Sequence, residues 1–160
     1  MKRHWSVIPT FLIALAFALA ACSAGRPAPK IEVSDAWVLF VGAQMQGGEP
    51  TGMQMGSTNG VAYMVLHNRG NAPDRLLRVQ SDVAHTLELH KSEVKNGVMM
   101  MNPVEFVEVP AGGQAELKPG GLHVMLIRLT RGLTPGDQVT LTLVFETSGE
   151  ITVQAEVRAP

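Results

Sequence analysis

"VTLTLVFETSGEITVQAEV", residues 139–157, carries a two-residue alternation in each of its halves. Val139, Leu141, Leu143 and Phe145 are apolar with Thr140 and Thr142 between them, and Ile151, Val153, Ala155 and Val157 repeat the pattern. In an extended chain successive side chains leave opposite faces, so each run offers one apolar face and one wet face. The connecting "ETSGE" is short, polar and contains a glycine, and the whole stretch therefore reads as a β-hairpin.

Working outward, the same kind of run recurs in "IEVSDAWVLF", "GVAYMVLHN", "RLLRVQS", "HTLELHK", "VEFVEVP" and "GLHVMLIRL". Turn signals separate them: "NRGNAPD", "KNG", "PAGG", "KPGG" and "LTPGD". No segment beyond residue 22 has a convincing helical period. About eight short strands with regular turns predict an all-β fold, an antiparallel sandwich or Greek-key barrel. There is no internal repeat, and residues 42–59, "GAQMQGGEPTGMQMGSTN", read as a long flexible loop.

The start of the chain has a different character. Residues 1–22, "MKRHWSVIPTFLIALAFALAAC", combine a basic start at Lys2 and Arg3, an apolar run from Phe11 to Ala20 and small residues before Cys22. That is the layout of a secretory signal, and the run is shorter than the roughly 20 residues of a spanning helix. "LAAC" resembles the bacterial lipobox, which implies that Cys22 is acylated and becomes the mature N-terminus. The expected organisation is a lipoprotein signal peptide (1–21), a lipid-anchored tether (22–30) and one β-domain (31–160). Its location would be extracytoplasmic, anchored to a bacterial membrane on the periplasmic side or the cell surface.

Losing Lys2 and Arg3 takes thirteen basic residues to eleven against fourteen acidic ones, a mature charge of −3. No basic tract remains to track phosphates, so nucleic acid is not an expected partner. Cys22 is the one cysteine; with it acylated, the domain can neither form a disulfide nor offer a thiolate to a metal.

In "GLHVMLIRL", His123 and Met125 leave one face of a strand while Leu122, Val124 and Leu126 leave the other. The pair makes a two-pronged donor arm. "PGGLHVML" also resembles a segment of the periplasmic copper-chaperone family called PCuAC, whose pattern is a histidine, ten residues, a methionine, twenty-one residues, then His-x-Met. His90, Met101, His123 and Met125 meet each spacing. The surroundings are similar too: "DAWV", "GVAYMVLHNRG", "DRLLRV", "LELHKSEVKNGVMMM", "PAGGQAELKPGGLHVMLIRL" and "LVFETSGEITVQAEV", so the resemblance spans nearly all of residues 31–158.

The resemblance implies a cupredoxin-like Greek-key sandwich and a metallochaperone that carries Cu(I). It also implies His90, Met101, His123 and Met125 as the metal ligands. As recipient it implies a copper-receiving protein, cytochrome c oxidase subunit II with its dinuclear CuA site or another copper chaperone. The donor chemistry agrees, because two imidazoles and two thioethers form a neutral, soft set that suits Cu(I) and disfavours Mg, Ca or Mn. Zinc would prefer thiolate or carboxylate beside histidine. A site that hands its metal on should be reachable from solvent. On this reading His90 closes the strand "HTLELHK", Met101 returns after the "KNG" turn, and folding adds the 123–125 strand.

The remaining candidates receive structural roles. Met99 and Met100 precede Met101; Met99 shares its face and could be a spare donor, but packing is the expected role, with His85 on the surface, His67 structural and Trp37 in the core. Family members often carry another methionine near the first histidine; Lys91 and Ser92 stand there instead. Met45, Met53 and Met55 could hold a second Cu(I) or cover apolar surface. Blue-copper electron transfer lacks its cysteine ligand. No Ser/His/Asp set or paired carboxylates suggest an enzyme. The competing reading is a methionine-rich structural or binding lipoprotein without a metal role.

Overall fold

The computed structural model describes residues 26–41, 59–95 and 97–159. The signal segment, Cys22 and the loop methionines Met45, Met53 and Met55 lie outside the described residues. Ten strands follow in order: β1 (Ile31–Val41), β2 (Asn59–Asn68), β3 (Asp74–Gln80), β4 (Ala84–Lys95), β5 (Val98–Pro103), β6 (Val107–Val109), β7 (Gln114–Leu117), β8 (Leu122–Leu129), β9 (Gln138–Phe145) and β10 (Gly149–Arg158). Among the described residues there is no helix.

The hairpin read from residues 139–157 is β9–β10, with Leu141 opposite Val153 and Leu143 opposite Ile151. Its apolar positions Val139, Leu141, Leu143 and Phe145 are buried, while Thr142 and Thr152 share a hydroxyl hydrogen bond on the other face. Gly149 takes φ 74° at the return, the left-handed conformation that such a short connection requires.

The strands lie in the order β5-β4-β8-β7-β2-β1-β10-β9-β3-β6, with β8 also paired to β2. β7 and β8 thus occupy successive stretches of β2, at Met64–His67 and Gly60–Ala62 respectively. Pairing is antiparallel except for β1 with β10 and β7 with β8. The first strand lying parallel to the last cannot be a hairpin and follows from the crossing connections of the fold. Val38, Ala62, Met64, Leu66, Leu76, Leu89, Val124, Leu126, Leu141 and Val157 belong to one shared core, so both halves of the sheet wrap a single apolar interior. The all-β, cupredoxin-like architecture expected from the sequence is the one found.

One irregularity redirects an aromatic side chain. Val33 pairs with Leu66 but Trp37 pairs with Tyr63, a one-residue shift between Ser34 and Trp37, and Asp35 within it has φ 47°. A bulge of one residue sends every later side chain to the opposite face. Val38 therefore enters the core and Trp37 leaves it. Core packing, expected for Trp37, is corrected: the half-buried indole lies on Tyr63 at a centroid separation of 4.7 Å, and the Arg158 guanidinium sits 5.3 Å above its ring.

Candidate metal centre

β4 and β8 place His90 directly opposite His123, Leu89 opposite Val124 and Glu88 opposite Met125. Leu89 and Val124 point into the core. By alternation Glu88, His90, His123 and Met125 share the outer face of the two strands. On the far side of β4, β5 sets Met101 opposite Ser92 and Met99 opposite Val94, positions of the same parity as His90. The four residues singled out in the sequence thus lie on one face of three adjacent strands. His123 is the direct neighbour of His90, while Met125 and Met101 are its diagonal neighbours on either side, within reach of long side chains.

The strand bearing His90 is longer than expected. β4 does not close at His90 or Lys91 but continues to Lys95, because its last residues stay paired to β5 through Lys95 opposite Val98. "SEVK" offers no buried apolar row to announce a strand, and the ladder with the methionine run supplies the missing stabilisation.

The two imidazoles are in close register, with ring centroids 5.7 Å apart and planes at 60°. Each has one nitrogen held by an acceptor. His90 Nε2–H donates to Glu88 Oε2 at 2.8 Å, and His123 Nδ1–H donates to the Gly121 carbonyl at 3.1 Å. A carboxylate and a carbonyl can only accept, so in the neutral form of each ring the remaining nitrogen, His90 Nδ1 or His123 Nε2, carries the lone pair. Among the described residues the buried side-chain polar atoms without a hydrogen-bond partner are these two nitrogens and the Ser148 hydroxyl. A buried acceptor left unmatched costs on the order of 1–3 kcal/mol. The two sit on neighbouring rings, across one β4–β8 residue pair.

The surroundings are apolar and uncharged on one side. Tyr63 stacks beside His123 at 6.4 Å, and burial pushes its phenol pKa up, keeping it neutral. The opposite side is open: His123 is 3% exposed, whereas Met101 is 53% exposed. The centre therefore grades from a buried imidazole to a solvent-facing thioether. Among the described residues no three His, Cys, Asp or Glu side chains converge as a metal site. The thioethers of Met125 and Met101 are the soft donors that share the face of His90 and His123.

Other residues take the following places. Met99, expected to pack, is 58% exposed at the β4–β5 ribbon and is not part of the core. His85 is exposed, as expected. His67 Nε2 meets Ser34 Oγ at 2.9 Å, tying β2 to β1. The residue that sequence reasoning passed over is Glu88. Its signal was present, since Glu-x-His on a strand puts carboxylate and imidazole on one face, two residues apart.

A family model described as LpqE-like matches residues 31–157, all but the last residue of the strand-bearing part. The chain belongs to the LpqE-like family. A Leifsonia xyli subsp. xyli protein described as a lipoprotein is 29% identical over 140 residues, covering 87% of this chain and 76% of that one. Among solved structures, the copper-bound PCuAC domain from PmoF2 superposes with TM-score 0.62 at 27% identity, over 82% of this chain and 94% of that one. The solution structure of Cu(I)-DR1885 from Deinococcus radiodurans gives 0.58 at 27% identity, over 87% and 85%. The sequence resemblance to PCuAC domains thus holds in three dimensions for this LpqE-like chain.

Proposed function

We propose that this LpqE-like domain is an extracytoplasmic Cu(I) carrier, with His90, Met101, His123 and Met125 as the ligands, and no enzyme. The observation that carries the reading is the pair of unmatched nitrogens, His90 Nδ1 and His123 Nε2, on a face shared with Met125 and Met101. Two neutral nitrogens and two thioethers favour the reduced, soft ion. The fold neighbours that hold copper, the PmoF2 domain and Cu(I)-DR1885, support the same assignment.

Delivery is by ligand exchange. The exposed Met101 is the first contact open to an incoming ligand, and the buried His123 releases the ion last. No bond other than metal–ligand bonds is made or broken. The recipient is a copper-receiving protein, the CuA-bearing subunit of cytochrome c oxidase or another copper chaperone. Lipid on Cys22 would hold the domain near a membrane-bound recipient, a placement that the lipoprotein descriptions of the family and of the Leifsonia relative support.

The test is an anaerobic Cu(I) titration of residues 23–160 against a chromophoric Cu(I) competitor. A variant with His90, Met101, His123 and Met125 all replaced is run beside it. One tight equivalent, absent from the variant, is the expected result. An inability of the native domain to compete would leave a methionine-rich lipoprotein with no metal role.

A further inference from the structure

Each ring of the histidine pair could bind a metal through either nitrogen, and the free imidazole exchanges readily between the two neutral tautomers. Only the tautomer with the correct nitrogen unprotonated can donate a lone pair. In this chain the choice is made by hydrogen bonds. Glu88 Oε2 lies 2.8 Å from His90 Nε2, and its position is set by the strand itself, two residues before His90 on the same face of β4 and directly opposite Met125 on β8. His123 has its equivalent in a backbone carbonyl, Gly121, two residues upstream and just before β8 begins. One ring is oriented by the main chain, which substitution cannot remove, and the other by a side chain, which it can.

We propose that Glu88 is the positioning residue of the site: by accepting the His90 Nε2–H it holds the tautomer that presents Nδ1 to the incoming metal. The inference rests on the copper-carrier reading and assigns the donor atoms within it, Nδ1 from His90 and Nε2 from His123. Glu88 itself stays outside the metal's shell. Its side chain is 45% exposed, whereas the His90 side chain is 15% exposed, so the carboxylate remains hydrated at the rim while orienting a ring that is nearly covered. Because Glu88 contributes nothing to the core, its replacement leaves the fold intact. The arrangement is the one by which ligating histidines are oriented and made more basic, where loss of the partner weakens metal binding by roughly 10–100-fold.

Two measurements test it, the first without metal. Long-range proton–nitrogen correlation on the nitrogen-15-labelled apo domain, residues 23–160, should find neutral His90 with its proton on Nε2. The E88L variant should show a mixture of tautomers at His90 with the His123 tautomer unchanged. E88Q retains a carbonyl acceptor and should restore the Nε2–H form. In the competition titration, E88L should lose about 10–100-fold in Cu(I) affinity and E88Q should recover most of it. Glu93→Gln, a control on the same strand paired to Lys91, should bind as the native domain does.

A His90 tautomer unaffected by E88L, or Cu(I) affinity unaffected by E88L, overturns the positioning role. A native domain with the expected tautomer but no Cu(I) binding would overturn the carrier reading instead. The two failures are therefore distinguishable.

Discussion

Buried polar groups in two regions of the fold are treated in opposite ways. At the end of β2, Asn68 is 1% exposed and fully matched. Its Oδ1 accepts from the backbone amides of Lys30 and Gly70, and its Nδ2–H groups donate to the carbonyls of Ala72 and Val109. Nearby on β3, the Asp74 carboxylate accepts from the amides of Arg75, Thr147 and Ser148. On β4 and β8, His90 and His123 are held by one nitrogen each and left open at the other. A polar group buried for structure has its bonds completed by the chain. On the copper-carrier reading proposed above, the open nitrogens of His90 and His123 are completed by the metal. The contrast separates residues that build the sheet from residues that use it.

The largest expected effect lies at the closed end. Asn68→Leu strands two amides and two carbonyls, and urea denaturation should show a loss of about 3 kcal/mol or more, with Cu(I) affinity of the folded fraction unchanged. A loss below about 1 kcal/mol would erase the contrast. Asp74 gives a smaller, pH-dependent effect. Burial alone would raise its pKa, but hydrogen bonds from Ser148, Thr147 and Arg75 outweigh it and hold the carboxyl below its ordinary value. A lowered folded pKa means stability that is present above the unfolded value, near 3.9, and lost as pH falls through the folded one. Unfolding free energy should thus fall off below about pH 4, and Asp74→Asn should flatten that part of the curve. An acid limb of the same slope in the variant would remove Asp74 from the account.

The smallest effect on stability is expected at the open centre, and it sharpens the comparison most. His123→Leu removes one unmatched nitrogen together with one hydrogen bond, so apo stability should change by no more than about 1 kcal/mol. Cu(I) competition should nevertheless disappear. A large loss of apo stability would mean that His123 belongs with Asn68, as a residue of the structure.

Much of this was legible in the sequence for a physical reason: a strand with one face in the core tends to alternate, as most of β9 and β10 do, while β2 is legible as a short continuous apolar run bounded by turn signals. The His123-x-Met125 arm followed from the same rule. β7, "QAEL", has only two apolar positions and was not distinguished, and the far end of β4 has none that reach the core. The displacement of Trp37 depends on a single extra residue at Asp35, which alternation read from the sequence carries straight through. The parallel pairing of β1 with β10 is a long-range contact with no local signature. At the centre, the ligand types and spacings were visible, but the role of Glu88 was not. Its carboxylate acts through a hydrogen bond whose geometry depends on strand register, and exposed glutamates on strands are common.

The central claim is that the two open nitrogens and two thioethers make one soft metal shell. X-ray absorption at the copper edge on the Cu(I)-loaded domain, residues 23–160, tests it directly. The account predicts two nitrogen and two sulfur neighbours, with one sulfur lost in Met101→Leu and another in Met125→Leu. A shell of nitrogen and oxygen alone, or a sulfur count untouched by both replacements, would contradict it.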